Sequence, residues 1–210
     1  IWCDDNYGYI RHFPTAEERA RKGGNGIYYH VSYWGRPHDY LWLGTFSPYL
    51  LHQQMKLAYD RGIQKMWVLN VGDIKPAEYQ IELFLDMAWN IDEVNEIGVT
   101  AHLKSWLGRE FGSNCAEELL PAMEAHYQLS YIRKPEFMGN TREEERDPKY
   151  KVIKDLPWSE QTISERLRSY TVLSDVVERM ESNIPADRQD AYFQLVKYPV
   201  QAAAQMNRKI

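Results

Sequence analysis

Residues 26–33 read Gly-Ile-Tyr-Tyr-His-Val-Ser-Tyr, an apolar and aromatic run that is typical of a buried β-strand. A similar run occupies residues 65–72, and another begins the sequence at residues 1–3. A helical pattern follows each run, with starts at Pro14, Pro48 and Pro76. Strands that alternate with helices predict βα units and a parallel sheet, so the first part of the chain is expected to be α/β. Residues 40–44 are expected to add a further extended segment.

The pattern changes in the second half, where strand-like runs stop and helical periodicity continues. Four helices are predicted there, at residues 100–111, 114–132, 159–182 and 187–208. Ser159 and Asp187 are the expected N-caps of the last two, and Pro199 is expected to kink the final helix. The charged residues 141–154 are expected to form a solvated loop. The predicted fold class is α/β and then all-α, with a boundary near residues 91–99.

The composition argues against several classes of protein. Lys and Arg number 25 against 30 Asp and Glu, and this net charge of −5 gives no support to nucleic-acid binding through phosphate neutralisation. No apolar run approaches the roughly 18 residues of a membrane span, and no signal peptide is recognisable, so no membrane partner is expected. Seven Trp and 15 Tyr against six Phe favour surfaces that hold polar rings such as sugars. Because the sequence starts with Ile1 inside a strand, we expect a piece of a longer protein.

Polar side chains gather where the three predicted strands end. The first strand ends with Asp4, Asp5 and Asn6. The end of the second strand and the residues after it supply His30, Tyr33, Trp34, Arg36 and Asp39. The third strand is followed by Asn70, Asp73 and Lys75. Because ligands of parallel α/β sheets bind at the carboxyl ends of the strands, these residues predict a polar cleft lined by aromatic rings.

Each of these residues also has a simpler interpretation. A plain turn accounts for Asp4–Asn6, a core histidine bonded to a carbonyl accounts for His30, and surface charges account for Arg36 and Lys75. In a cleft, the carboxylates would serve acid–base chemistry and the two cations would bind a carboxylate ligand. Ligand types suitable for a metal are present in Asp4, Asp5, His30 and Asp73. No helical His pair or cysteine pattern supports such a site, so neither a metal nor a cofactor is expected.

Four long motifs carry a resemblance to a known family of enzymes. They are Trp-Cys-Asp-Asp-Asn-Tyr-Gly-Tyr-Ile-Arg at 2–11, Gly-Ile-Tyr-Tyr-His-Val-Ser-Tyr-Trp-Gly-Arg-Pro at 26–37, Asn-Val-Gly-Asp-Ile-Lys-Pro-Ala-Glu at 70–78 and Ala-Tyr-Phe-Gln-Leu-Val-Lys-Tyr-Pro-Val at 191–200. Together they resemble glycoside hydrolase family 115, the xylan α-1,2-glucuronidases. The resemblance implies a (β/α)8 TIM barrel followed by a helical bundle, within a larger homodimeric enzyme. Residues 1–95 would be the C-terminal βα units of the catalytic barrel, and residues 96–210 the bundle.

The same resemblance implies the activity and the roles of individual residues. The family removes glucuronic acid or its 4-O-methyl form from glucuronoxylan or its oligosaccharides with inversion. Asn6 and His30 match an asparagine and a histidine associated with activity in the family, and Asp5, at the end of the first strand, is a third candidate catalytic residue. The residues expected to bind substrate, from their places in and after the strands, are Asp4, Tyr29, Tyr33, Trp34, Arg36, Asp39, Asn70, Asp73 and Lys75, with the rings of Tyr29, Tyr33 and Trp34 available for stacking on sugars. The acid glutamate of the family, with an arginine and an aspartate, would lie upstream of Ile1, so this chain alone is expected to be inactive.

Three other functions fit the sequence. The first is a glycan-binding or scaffold module without catalysis, and the second is a metal-dependent hydrolase of another substrate. The third, a helical interaction platform at residues 100–210, is compatible with the enzyme. A polymeric xylan substrate implies a secreted, periplasmic or cell-associated protein.

Overall fold

A four-stranded sheet with the order β2-β1-β3-β4 forms the first part of the chain, and its strands are β1 (Trp2–Asn6), β2 (Tyr9–Ile10), β3 (Gly26–His30) and β4 (Met66–Asn70). Strands β1, β3 and β4 run parallel, whereas β2 is antiparallel to β1. The register places Asp4 beside Tyr28 and His30 beside Asn70. The parallel strands confirm the α/β prediction. This computed structural model describes residues 2–33, 40–137 and 157–209, so the predicted loop at 141–154 lies outside it.

A two-residue turn joins β1 to β2. Tyr7 and Gly8 both adopt positive φ values, 53° and 85°, as a tight hairpin turn with the twist of a β-ribbon requires. A Cβ atom at Gly8 would lie 2.6 Å from the Phe46 ring, so only glycine fits there. The plain turn considered for Asp4–Asn6 is wrong, because these residues belong to β1 and the chain reverses one step later. The extended segment predicted at 40–44 is also wrong, since no strand forms there.

Helices cover one face of this sheet. The helices in this part of the chain are α1 (Ala16–Arg19), α2 (Pro48–Asp60), α3 (Glu78–Trp89) and α4 (Ile91–Phe111), and α2, α3 and the first residues of α4 contribute to the core against the sheet. The core beneath them contains Cys3, Ile27 and Tyr29 from the strands, together with side chains of α2 and α3. Helix α4 bends at Gly98, whose φ of 77° is not helical. The chain divides into two compact units, Ile1–Trp106 and Leu107–Ile210, and the division falls within the residues of α4.

The described residues of the second unit contain helices and their connections but no strand, which confirms the all-α prediction for this part. Its α-helices are α5 (Ser113–Ile132), α6 (Glu160–Met180), the short α7 (Gln189–Tyr192) and α8 (Tyr198–Asn207). Ser159 caps α6 as predicted, because its hydroxyl oxygen accepts from the Thr162 amide at 3.1 Å. Asp187 is not an N-cap, since it lies inside the short 3₁₀ turn Ala186–Arg188. The kink expected at Pro199 does not occur at that residue, because Pro199 lies in the first turn of α8, where a proline is tolerated. The irregular part of the predicted helix is the π-helical turn Phe193–Lys197, which precedes it.

A buried arginine connects three helices of the second unit. Arg166 is 5% exposed, and its guanidinium donates to the Asn207 side chain and to the carbonyl oxygens of Leu129 and Arg133 at 2.8 and 2.7 Å. These two carbonyl oxygens lie at the C-terminus of α5, where the helix dipole favours a positive charge. Across the described helices of both units, none combines the length and the apolar character that a membrane crossing needs.

The buried His126 in α5 should make the stability of the protein depend on pH. Burial lowers the pKa of His126 from 6.5 to about 4. Between these pH values the unfolded chain binds a proton that the folded chain does not, so the stabilisation is complete above pH 6.5 and is lost as the pH falls towards 4. We expect a loss of up to about 3 kcal/mol from this group. Urea unfolding at pH 7 and pH 4.5 measures it, and His126→Leu should reduce the difference. An equal pH effect in both proteins would contradict the assignment.

Candidate active site

Three neighbouring parallel strands end in polar residues at one edge of the sheet. Asn6 is the last residue of β1, His30 the last of β3 and Asn70 the last of β4. His30 and Asn70 are register partners, so their side chains emerge on the same side of the sheet. This is the edge at which the sequence predicts a cleft.

The Asp5 carboxylate lies at the centre of this edge and is fully buried. Its Oδ1 accepts from the main-chain N–H of His30 at 2.9 Å and contacts the His30 ring Nδ1 at 2.8 Å. Its Oδ2 accepts from the Gly8 amide at 2.9 Å and from the Tyr33 hydroxyl. Four donors therefore occupy both oxygens, and Asp5 is placed to hold other groups rather than to take a proton from a substrate.

The Asp5 contact determines which nitrogen of His30 is available. An ionised carboxylate can only accept, so Nδ1 carries the proton and the neutral ring keeps its lone pair on Nε2. The Tyr28 ring lies edge-on at a centroid distance of 4.5 Å, and the Tyr33 ring stacks at 5.2 Å, which together fix the plane of the imidazole. The His30 side chain is 17% exposed and its partner is a carboxylate rather than a carbonyl, unlike the core histidine of the simpler interpretation.

The hydroxyl groups of two tyrosines form hydrogen bonds with the main chain of the hairpin turn. The Tyr29 hydroxyl donates to the Gly8 carbonyl at 2.7 Å, and the Tyr29 ring is 0% exposed beside Phe46 and Phe84. Tyr29 therefore belongs to the core, and its predicted role in stacking against a sugar is corrected. The Tyr33 oxygen lies 2.8 Å from the Gly8 amide, and burial raises the pKa of Tyr33, so its hydroxyl stays protonated and donates to Asp5.

The opposite face of the sheet carries the exposed polar groups. The Asp4 side chain is 62% exposed, and its Oδ1 lies 3.8 Å from the His30 Nδ1. The Asn70 amide donates to the Tyr28 hydroxyl, which links Asn70 to the ring that flanks His30. Sequence reasoning missed Tyr28. Its place two residues before His30, on the same face of the strand, is the signal that could have identified it.

Other predicted residues lie apart from this cluster or outside the described residues. Asn6 is exposed at the end of β1, and Asp73 and Lys75 are exposed in the loop after β4. Within the described ranges, no hydrogen bond or ion pair connects Asp73 or Lys75 to His30. Nothing is described for Trp34, Arg36 and Asp39.

The cluster also has the composition of a metal site. Ligand atoms of Asp4, Asp5 and His30 lie within 4.8 Å of one another, without Asp73. The Asp5 oxygens, however, already accept from two main-chain amides, the Tyr33 hydroxyl and the His30 ring. A cation bound there would have to displace these donors, so we interpret the group as a hydrogen-bonded network.

Comparisons with known proteins assign the chain to a family. The model of the Glycosyl hydrolase family 115 matches residues 1–137. One matching solved structure is described as a family GH115 4-O-methyl-α-glucuronidase with specificity for decorated arabinogalactans. That structure and this chain are 72% identical in sequence. The match covers 99% of this chain and has a TM-score of 0.95. The chain spans 28% of that relative's length. The search among curated proteins found no significant match.

The hydroxyl of Tyr33 should contribute to stability through Asp5. Tyr33→Phe removes one of the four donors to a buried carboxylate and should lower the free energy of unfolding by about 1–2 kcal/mol. Urea denaturation measures the loss. Tyr131→Phe is the matched control, because Tyr131 is 57% exposed and its substitution should change stability by less than about 0.5 kcal/mol. Equal losses in the two variants would argue against the network.

Proposed function

Because this chain belongs to glycoside hydrolase family 115, we propose that it forms part of an α-glucuronidase, which cleaves glucuronic acid or its 4-O-methyl form from a polysaccharide. The observation that carries the proposal is the Asp5–His30 contact of 2.8 Å at the carboxyl end of the parallel strands. A histidine whose Nδ1 is bound to a buried carboxylate offers Nε2 to a substrate in one fixed orientation. Catalytic groups of α/β barrels occupy this end of the strands.

The described residues take different parts in the proposed reaction. His30 contacts the sugar through Nε2, where it stabilises charge or transfers a proton near the scissile bond. Asp5 positions His30. The Asn6 carboxamide hydrogen-bonds the substrate, and the exposed Asp4 carboxylate orients a hydroxyl group or the attacking water. Inversion requires an acid and a base about 6.5–9.5 Å apart with that water between them. We place the acid glutamate of the family outside this chain, which on its own should release no uronic acid.

The sheet supports the proposal that residues 1–95 are βα units of a barrel. Among the described residues of the first unit, helices cover one of its faces, and on the other face Trp2, Tyr28 and Met66 are 55%, 41% and 55% exposed. In a (β/α)8 barrel the helices lie outside, and residues of this inner face pack against those of the other strands. Residues 96–210 would then be the helical bundle of a homodimeric enzyme.

Two polysaccharides are candidate substrates. The resemblance of the motifs to xylan α-1,2-glucuronidases favours an α-1,2-linked uronic acid on xylan. The 72% identical relative is described as specific for decorated arabinogalactans, and this favours a decorated arabinogalactan as the second candidate substrate. Both substrates carry a uronate carboxylate, which the predicted cations Arg36 and Lys75 would bind.

Replacing His30 tests the catalytic assignment. In the whole protein, His30→Ala should lower the rate of uronic acid release at least about a hundredfold, since it removes a positioned electrostatic or acid–base group. His12→Ala is the matched control, because His12 is an exposed histidine outside the site. Unchanged turnover in His30→Ala would show that His30 takes no part in the reaction. Binding of the glycan without any release by the unmodified protein would favour a non-catalytic module instead.

A side-by-side assay distinguishes the two polysaccharides. The whole protein is incubated with glucuronoxylan and with a glucuronic-acid-decorated arabinogalactan, and the released uronic acids are separated by chromatography. We expect release from at least one of them, with the anomeric configuration inverted in the first product seen by NMR. Release from the arabinogalactan alone would overturn the xylan assignment, and retention of configuration would overturn the inverting mechanism.

A further inference from the structure

The π-helical turn Phe193–Lys197 brings two aromatic rings together on the surface of the second unit. In a regular α-helix, residues five apart point about 140° away from each other. The wider π turn removes most of this angle, and the rings of Phe193 and Tyr198 lie side by side, with centroids 6.0 Å apart and planes inclined by 40°. Phe193 is 54% exposed and Tyr198 36% exposed. Such π turns occur frequently at functional sites.

The two rings border a cavity of about 440 Å³, whose lining residues are Ser174, Phe193, Tyr198, Gln201, Ala202, Gln205 and Arg208. This volume lies in the range of small-molecule sites, about 300–1,000 Å³. All the lining residues belong to α6, the π turn or the segment from α8 to Arg208. The cavity is therefore distinct from the strand edge that carries His30.

The polar groups of the cavity suit an acidic sugar. Ser174 supplies a hydroxyl, and Gln201 and Gln205 supply carboxamides. The Gln201 Nε2 donates to the Glu178 carboxylate at 2.7 Å, so its carbonyl oxygen remains to accept from a sugar hydroxyl. The Arg208 Nη1 donates to the Gln205 Oε1 at 3.3 Å. Within the described ranges no carboxylate pairs with Arg208, so its remaining N–H groups are available to bind a carboxylate.

We infer that this cavity is a second glycan-binding site, which holds a uronic acid side group of the polysaccharide with residues other than those of the reacting centre. The sugar ring lies against Phe193 and Tyr198, and its carboxylate binds Arg208. The inference rests on the proposed function, because the polysaccharide is the source of the uronate. Such a site increases the local concentration of a polymeric substrate without changing the chemical step.

Affinity electrophoresis of the whole protein tests the inference. The protein carries His30→Ala to prevent cleavage, and the gels contain glucuronoxylan, decorated arabinogalactan or unsubstituted xylan. We expect retardation by an acidic polysaccharide and not by the neutral one. Phe193→Ala and Arg208→Gln should each weaken the binding about tenfold, the usual effect of one charge-assisted hydrogen bond or one large ring contact. Arg168→Gln is the matched control, because Arg168 is exposed on α6 outside the cavity.

Three results would overturn the inference. They are unchanged retardation of both cavity variants, equal retardation by the neutral xylan, and a change of molecular mass in light scattering, which would identify the cavity as a protein contact. With His30 intact, the cavity variants should keep the turnover of a short uronic-acid-bearing oligosaccharide. If the unmodified protein releases no uronic acid but the cavity variants lose binding, the proposed function fails while the second site stands.

Discussion

The buried carboxylate of Asp5 is the constraint on which the candidate site depends. An ionised group inside a protein is costly unless it is paired and hydrogen-bonded. Asp5 meets this requirement with donors from three places: the end of β3, the hairpin turn and Tyr33. The same contacts fix the His30 ring, the Gly8 turn and the Tyr33 hydroxyl relative to one another. One buried charge thus determines the geometry of the whole strand edge.

Alternation along the strands explains why neighbouring residues have such different surroundings. Cys3 and Asp5 lie on the buried face of β1, whereas Asp4 and Asn6 lie on the exposed face. In β3, Tyr29 lies on the helix-covered face and Tyr28 on the exposed one. A shift of the register by one residue would exchange these faces and expose the core. The packing of the helices therefore also decides which polar groups can reach a ligand.

The sequence predicts the elements with strong local signals and misses those that depend on distant contacts. The strands around residues 26–30 and 66–70 and the Ser159 cap follow from apolar runs and capping chemistry. The hairpin at Tyr7 and Gly8 does not, because tyrosine rarely adopts a positive φ and β2 has only two residues. Tyr28 and Tyr29 are the same residue type next to each other, so the sequence alone does not show which of them is buried and which is exposed. The burial of Arg166 depends on carbonyls more than 30 residues away.

The charge of the proposed substrate restricts how the carboxylates at the strand edge can act on it. A uronate is an anion, and a free carboxylate at the strand edge would repel it. The Asp5 charge is distributed over four hydrogen bonds, and the Asp4 side chain is 62% exposed and screened by solvent. Beside these two carboxylates, the edge presents the His30 ring and the carboxamides of Asn6 and Asn70, which can form hydrogen bonds with a sugar. An edge of hydrogen-bonding groups, held in place by a buried carboxylate, can accept an acidic sugar, provided that the proton donor of the reaction comes from another strand.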